Sequence, residues 1–433
     1  MRISTVTMFE QSTASLNRQQ GDFLKVSQQI ASGRRVVNPS DDPQAASRAV
    51  GVDQSKAVTQ QYTDSRVSAR NSLAQTESIL NSVSDAVTSA KTLLIQASSD
   101  TLSDVDRESI ASELKGVYET MIGQANATDG NGRYLFGGYA DNAPPFVKDA
   151  DGNVQYKGDS NAREQRVDAS RLMPVTENGK SIFQSVPSGA GYAAEAVKTD
   201  NNGNRLVGES ARNDGSVTFS GPQVTDVTDD DYGQSYRLVF ADNPDPASEN
   251  DFIYQVQRFE NGAWLDSATD LVETGEYKGE GQQLSFGGIS VSLQGQPEAG
   301  DEVLIARSGS EQRKPDLFRT MEEAIRVLEN PADNDTKKAD LRNTLNTSMR
   351  DLDNALDNVL TVRASAGARL NELDVIDAVG GNRMLNYEQT LSDLVDLDYA
   401  SAISEYSLRQ IGLQAAQKAF VDVKGMSLFD FMR

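Results

Sequence analysis

The residues that could do chemistry are few, because the chain contains neither cysteine nor histidine. Their absence removes disulfides, thiolate and imidazole nucleophiles, imidazole bases and nearly all zinc, copper and iron sites. No candidate nucleophile stands beside a base that would activate it. We therefore expect a protein that is not an enzyme and that uses no cofactor.

A glycine-rich stretch from Gly132 to Gly138, GRYLFGG, is the candidate for a phosphate-binding loop. It lacks both the GK[ST] ending and the G-x-G-x-x-G spacing with which backbone amides hold phosphate. We interpret it as the entry to a strand.

Two groups of acidic residues are candidates for calcium binding. They are Asp226, Asp229, Asp230 and Asp231 in one group, and Asp393, Asp396 and Asp398 in the other. Neither group has the EF-hand spacing with its central glycine and closing glutamate. We interpret them as carboxylates of a loop and of a helix face, and we predict no metal site.

The charge of the chain also limits its partners. The formal net charge is -23, and residues 141–310 hold 28 Asp and Glu against 13 Lys and Arg. Such an acidic surface repels nucleic acid. No apolar run approaches the roughly 20 residues that span a membrane, and the N-terminus lacks the apolar core of a signal peptide. We predict no nucleic-acid binding and no membrane insertion, and either a cytoplasmic location or export without a cleaved signal.

Both ends of the chain show apolar residues at every seventh position, which is the spacing of a coiled-coil seam. The C-terminal series starts at Leu385 and is most regular from Tyr399 onward. The predicted assembly residues are Phe9, Leu16, Phe23 and Ile30 at one end, and Tyr399, Tyr406, Leu413, Phe420, Val423, Leu428 and Phe429 at the other. We expect the two ends to wind around each other.

Neither end is expected to fold alone. The N-terminal segment contains Gly21 and many serine, threonine and glutamine residues, which make an isolated helix marginal in water. A partner must supply the missing apolar surface. The sequence leaves open whether that partner is the opposite terminus, other copies of the protein, or both.

Further patterns predict the remaining helices. Gly33 is placed as a helix C-cap with Arg34 and Arg35 beside the helix end, and Asp42 with Pro43 begins the next helix. Heptads predict two long helices, through Leu73, Leu80, Val87 and Leu94, and through Leu345, Leu352, Val359, Ala366 and Leu373. Shorter helices are predicted from about Asp106 to Ala127 and after Pro315. Gly380 and Gly381 are expected to separate the second long helix from the terminal seam.

Between the helical blocks, residues 141–310 are rich in glycine and proline and show short alternating runs. Strands are predicted at residues 216–219, 235–240, 252–259, 289–293 and 303–306. Trp264, the only tryptophan, is interpreted as a core or hairpin residue.

The sequence thus predicts an α+β, multidomain fold, in which long coiled-coil-like helices from both termini form a rod and a β-rich outer domain is inserted between them. The predicted domains are a terminal helical coiled coil (1–42 and 381–433), an α-helical rod (43–140 and 311–380) and a β-rich variable outer domain (141–310). The abrupt change in composition predicts that the β-rich domain is autonomous and dispensable for assembly.

Four motifs, taken in order, resemble the bacterial flagellin family. They are SGRRVVNPSDDPQAASRA from Ser32, GRYLFGGY from Gly132, TVRASAGARLNEL from Thr361, and VDLDYASAISEYSLRQIGLQAAQKAFVDVKGMSLFDF from Val395. GRYLFGGY and the C-terminal ending are similar to the type 3 hook-associated branch of that family, whose members join hook to filament. The resemblance covers both helical blocks and is weakest over residues 141–310.

The resemblance implies a self-assembling structural subunit that forms a ring-like or helical homo-oligomer at the hook–filament junction. Its implied partners are another hook-associated protein on the hook side, flagellin on the filament side and a flagellar export chaperone. It also implies secretion in unfolded form through the flagellar export channel and an extracellular place in the flagellum. Two alternatives stay open: filament flagellin itself, and a flagellin-like protein that displays a glycan-binding insert.

Overall fold

The structure is a computed structural model that describes residues 5–150, 152–187, 189–279 and 281–429, with the backbone only for residues 5, 6, 8 and 423–429. Long helices dominate both ends of this part of the chain. In chain order the helices are α1 (Thr5–Ser32), α2 (Pro43–Ala97), α3 (Asp104–Ala125), α4 (Gly179–Phe183), α5 (Leu317–Glu329), α6 (Asp335–Val395) and α7 (Tyr399–Phe429).

The strands of the described residues all lie between α3 and α5. They are β1 (Phe146–Lys148), β2 (Val154–Tyr156), β3 (Glu164–Asp168), β4 (Arg171–Pro174), β5 (Tyr192–Glu195), β6 (Thr218–Val224), β7 (Tyr236–Asp242), β8 (Phe252–Glu260), β9 (Ala263–Trp264), β10 (Glu273–Glu276), β11 (Gln282–Phe286), β12 (Ile289–Gln294) and β13 (Glu302–Arg307). One sheet has the order β10-β8-β7-β13-β5, with β9 on β8, and another has the order β11-β12-β6. Two further pairs, β1-β2 and β3-β4, are separate hairpins. The α+β class predicted from the sequence is confirmed.

The two predicted heptad stripes are buried. On α2 the exposed fractions are 1% for Leu73 and 0% for Leu80, and on α6 they are 0% for both Leu352 and Val359. A repeat of seven residues stays on one helix face because it nearly equals two helical turns. Most of both stripes belong to a single apolar core, which also contains Phe146 of β1.

The described chain divides into two compact units. We call Met1–Val67, Val167–Arg171 and Asp374–Arg433 the terminal unit, and Ser68–Arg166 and Leu172–Leu373 the central unit. The boundaries between the units fall inside α2 and α6 rather than at helix ends. Apart from residues 167–171, the β-rich residues share the central unit with α3, α5 and the heptad-bearing parts of α2 and α6.

The predicted break at Gly380 and Gly381 is wrong, because α6 runs through both glycines to Val395. Gly380 instead makes room for a neighbour within the terminal unit. A Cβ on Gly380 would lie 2.6 Å from Nη2 of Arg66, while a Cβ on Gly381 would meet nothing within 4 Å. Arg66 is itself buried and donates to the carbonyl oxygen of Val167 at 3.0 Å, and it pairs with the carboxylate of Asp377. The glycine therefore serves close packing, not chain termination.

The stretch from Gly132 to Gly138 is not a strand entry, and that prediction is also wrong. It forms consecutive turns with one isolated bridge between Thr128 and Tyr134. The main-chain N–H groups of Tyr134 and Leu135 donate to the carbonyl oxygens of Asp141 and Ala127, at 2.9 and 3.0 Å, so this stretch is bonded to nearby loop residues and not to a strand.

The hairpin role predicted for Trp264 is confirmed. Its register pairs Trp264 of β9 with Phe259 of β8, and the two rings lie 5.1 Å apart edge to face. The turn between the strands is Asn261-Gly262, and both residues have positive φ, as a two-residue hairpin requires. The indole is 5% exposed and belongs to a small apolar core.

Candidate functional site

The paired terminal helices α1 and α7 are the candidate functional site. They pack together in the terminal unit, with the rings of Phe9 and Phe420 5.3 Å apart and those of Phe23 and Tyr406 4.9 Å apart. From one pair to the next, α1 advances by two heptads and α7 goes back by two heptads, so the helices are antiparallel. The same register places Leu16 opposite Leu413 and Ile30 opposite Tyr399.

The seam between α1 and α7 is only partly closed within one chain. Leu16, Phe23, Ile30, Tyr406, Leu413 and Phe420 are half-buried, while Phe9 is 45% and Tyr399 52% exposed. The sequence-predicted residues are thus brought together, but apolar area remains accessible around them. The side chains of Val423, Leu428 and Phe429 lie outside the described ones. Leu385, where the C-terminal series was predicted to start, lies on α6 and is 63% exposed.

Polar contacts accompany the apolar seam and fix its register. Arg409 on α7 pairs with Asp22 on α1 at 2.9 Å and with Glu405 on its own helix at 3.1 Å. One turn further along, Gly412 faces Gln19, and a Cβ on Gly412 would lie 2.8 Å from its Oε1. These contacts favour one alignment of the helices, because an ion pair is lost when the helices slip.

The connections that join α1 to α2 and α6 to α7 meet within the terminal unit. We call residues 33–42 and 394–398, which form this meeting point, the joint. The main-chain N–H of Arg35 donates to the carbonyl oxygen of Val395 at 2.8 Å, and that of Leu397 donates to Gly33 at 3.0 Å. Gly33 ends α1 with φ of 68°, as predicted for a C-cap. A Cβ there would lie 2.9 Å from the hydroxyl of Tyr399. The two connections between helices are therefore bonded to each other instead of running free.

Charged residues reinforce this joint. The guanidinium of Arg35 donates to the carbonyl oxygen of Leu394 at 2.6 Å and pairs with Asp42 at 3.1 Å. Arg35 was expected to complement the end of α1, but it lies instead at the end of α6, where carbonyl groups are also unpaired. Asp42 accepts the N–H of Ala45 as the predicted N-cap of α2. That N–H and Arg35 hold the pKa of Asp42 below its usual value.

Sequence reasoning missed a second apolar surface on α7. Ile403, Leu408, Ile411 and Val421 are between 55% and 71% exposed and do not belong to the seam series. The signal was present in the sequence, because residues 403–421 contain only three charged residues. A helix normally buries its apolar side chains and turns its charged and polar residues to solvent. This outer face of α7, defined by these four residues, therefore lacks a partner among the described residues of the single chain.

Three residues of the two acidic groups have hydrogen-bond or ion-pair partners within the chain. Asp226 accepts from the main chain and hydroxyl of Thr228, Asp231 pairs with Arg258, and Asp398 accepts the N–H groups of Ala400 and Ser401 at the start of α7. Within the described residues, no group of three or more acidic side chains is arranged to hold a metal ion. Nor does any helix in that part of the chain have the length and apolarity to cross a membrane.

Comparisons with known proteins agree with this architecture. Residues 3–141 match the family model of the bacterial flagellin N-terminal helical region. The chain is 31% identical to flagellar hook-associated protein 3 of Escherichia coli and 30% identical to that of Salmonella typhimurium, over 100% of each chain. The crystal structure of FlgL from Xanthomonas campestris is 29% identical, with a TM-score of 0.62 over 79% of this chain and 99% of that one.

Proposed function

The chain belongs to the flagellar hook-associated protein 3 family, and from this we propose that it is a structural subunit that assembles with copies of itself at the junction between hook and filament of the bacterial flagellum. The outer face of α7 carries the proposal. It exposes large apolar side chains even though α7 is already paired with α1. Exposed large apolar side chains grouped on one helix are typical of a protein–protein interface.

We propose that the terminal helices use two surfaces in assembly. The seam residues hold α1 on α7, and their remaining exposed area is completed by neighbouring subunits. Among the seam residues whose side chains the structure describes, Phe9 and Tyr399 are about half exposed and are the least buried. The outer face of α7 then packs against another copy, so that every side of the helix is covered in the assembly. Val423, Leu428 and Phe429 extend the same proposal toward the C-terminus.

In this proposal each of the three predicted domains has its own role. Residues 1–42 and 381–433 assemble, residues 43–140 and 311–380 form the rod, and residues 141–310 face outward. A second hook-associated protein on the hook side and flagellin on the filament side are the proposed neighbours. The role is structural and not enzymatic, in keeping with a chain without cysteine or histidine.

We also propose a route of export that suits the marginal terminal helices. An isolated α1, with Gly21 and many short polar residues, gains little from folding alone. A segment of this kind is readily kept unfolded by an export chaperone and passed through the flagellar channel, and it becomes ordered when it docks.

The test of the proposed function is complementation of cells that lack the gene. The unaltered chain should restore filaments on intact hooks. Ile411→Asp places a charge on the outer face of α7 and should leave hooks without filaments, although the protein is still secreted. Val207→Asp is the matched control, because Val207 is 83% exposed and lies in the central unit. Normal filaments with Ile411→Asp would contradict assembly through this face.

A further inference from the structure

Helix α6 has two different buried faces in the central unit. One is the apolar heptad stripe from Leu345 to Leu373. The other is polar: Asn343 is 3%, Thr347 9% and Asn358 7% exposed. Together with Asp351 and Asn354, these residues are spaced by three or four positions and so form one stripe along the helix. Buried amides and hydroxyls are retained only when they are hydrogen-bonded, so the polar stripe must have partners.

The partners are main-chain groups of the β-rich segment. Asn343 donates to the carbonyl oxygen of Val217 at 2.8 Å and accepts the N–H of Phe219 at 3.2 Å, as a neighbouring strand would. Thr347 donates to the carbonyl oxygen of Ala194 in β5 at 2.8 Å.

The same mode of contact continues along the helix. Arg350 donates to the carbonyl oxygen of Tyr192 at 2.8 Å. Asn358 donates to the carbonyl oxygens of Ser181 and Ile182, at 2.8 and 2.9 Å. From Asn343 to Asn358, α6 thus holds three separate pieces of the β-rich segment, around residues 181, 192–194 and 217.

A buried ion cluster lies in the middle of the stripe. Arg313 donates to both carboxylate oxygens of Asp351 at 2.8 Å and lies 3.7 Å from the carboxylate of Glu195 in β5. Glu195 also pairs with Arg205 at 3.0 Å. Burial alone would raise the pKa of Glu195, but Arg205 and Arg313 hold it below its usual value. Removing one member of such a buried set leaves a charge without a partner, which is strongly unfavourable.

We infer that this polar stripe is a docking rail, by which α6 fixes the β-rich segment so that the two fold and unfold as one body. This inference goes beyond the proposed function, because it gives α6, a helix of the rod, the additional role of holding the β-rich segment. Residues 141–310 are then not an independent module, despite their different composition. The shared apolar core supports this, because Phe146 and Phe183 of the β-rich segment pack on Phe318 of α5 with ring centroids 5.0 and 5.5 Å apart.

The rail also has a consequence for sequence variation. Asn343, Thr347, Arg350 and Asn358 bond to backbone atoms and not to side chains of the β-rich segment. Strand side chains can therefore change while docking persists, provided that the backbone keeps its path.

The first test needs no substitution. Trp264 is the only tryptophan and lies in the β-rich segment, so its fluorescence reports that segment during denaturant unfolding. Hydrogen exchange of peptides from residues 345–373 reports α6 under the same conditions. The rail predicts one common midpoint in the full chain. A β-rich transition well separated from that of α6 would overturn the inference.

The second test alters the rail itself. The double variant Asn343→Ala, Thr347→Val should speed hydrogen exchange in β5 and β6 by at least about tenfold, because buried main-chain groups lose their partners. Asn346→Ala, an exposed asparagine on the same helix, should stay within about twofold of the unaltered chain. If the double variant fails to fold, Thr347→Val alone, which keeps the side-chain shape, should show the same effect to a smaller degree. Exchange in β5 and β6 no faster than in Asn346→Ala would overturn the rail.

Discussion

The rings of Phe9 and Phe420 lie 5.3 Å apart at an interplanar angle of 40°, although more than four hundred residues separate them in the chain. This contact joins the two ends of the protein and lies in register with the contact of Phe23 and Tyr406. Within the single chain, each terminal helix thus packs against the opposite terminus. The outer face of α7 and parts of the seam stay exposed in the single chain.

Replacing Phe420 should uncouple assembly from folding. Phe420→Ala should raise hydrogen exchange in α1 and α7, while the central unit melts as before because its heptad core lacks this residue. In the assembled state the loss should be about 3 to 5 kcal/mol if the ring is fully enclosed there, and filament attachment at hook tips, followed by electron microscopy, should fail. Phe420→Leu is the control and should retain most attachment. A Phe420→Ala chain that melts early yet still supports filaments would assign the ring to the monomer core.

The adjacent glycines of α6 should respond in opposite ways to alanine. Gly381→Ala meets no atom within 4 Å and should stabilise the chain by about 0.5 to 1 kcal/mol, since alanine favours helix. Gly380→Ala must displace the guanidinium of Arg66, which Asp377 and Val167 hold in place, and should cost roughly 1 to 3 kcal/mol as an overpacked site does. Chemical denaturation of both variants measures the difference. Equal effects would mean that Arg66 moves aside freely.

Alanine substitutions on the buried and exposed sides of α6 should have very different effects on the free energy of unfolding. Leu352 is 0% exposed, so Leu352→Ala should lower the free energy of unfolding by about 2 to 5 kcal/mol. Leu360 lies on the same helix and is 43% exposed, so Leu360→Ala should change it by no more than about 0.5 kcal/mol. Denaturant unfolding of the two variants checks this. A large loss for Leu360→Ala would place that residue in an interface of the protein in solution.

The joint should weaken in acid. The pKa of Asp42 lies below its usual value, so its carboxylate stabilises the fold above the unfolded pKa of about 4, and this contribution is lost as the pH falls through the folded pKa. Asp42→Asn should therefore lower the thermal midpoint by more at pH 6 than at pH 3. Asp53→Asn, at an exposed position of α2, should show no such change with pH. A deficit for Asp42→Asn of equal size at both pH values would show that the carboxylate acts only through its shape.

Local periodicity was enough to predict the long helices and their apolar contacting faces. Leu73, Leu80, Leu352 and the seam series through Phe9 and Phe420 were found from spacing alone, because a heptad repeat states which side of a helix is buried without naming the partner. The C-cap at Gly33 and the N-cap at Asp42 were also predicted correctly, since helix caps depend on backbone geometry within a few residues. The same reasoning failed at Gly380, where glycine is needed for a neighbour that lies far away in sequence.

Only the tertiary structure showed which groups are the hydrogen-bond and ion-pair partners of these polar residues. Asn343, Thr347 and Asn358 look in the sequence like ordinary polar positions of a long helix, but they are buried against main-chain groups that lie more than a hundred residues away in the sequence. Arg35 was assigned to the end of its own helix, but the chain brings another helix end, that of α6, closer to it. Hydrogen bonds and ion pairs depend on atoms meeting within about 3 Å, and sequence spacing determines such meetings only inside one element. The physical reason is the sequence distance between the interacting residues. Helix periodicity and helix caps depend on residues that are close in the sequence, whereas docking depends on residues that only the folded chain brings together.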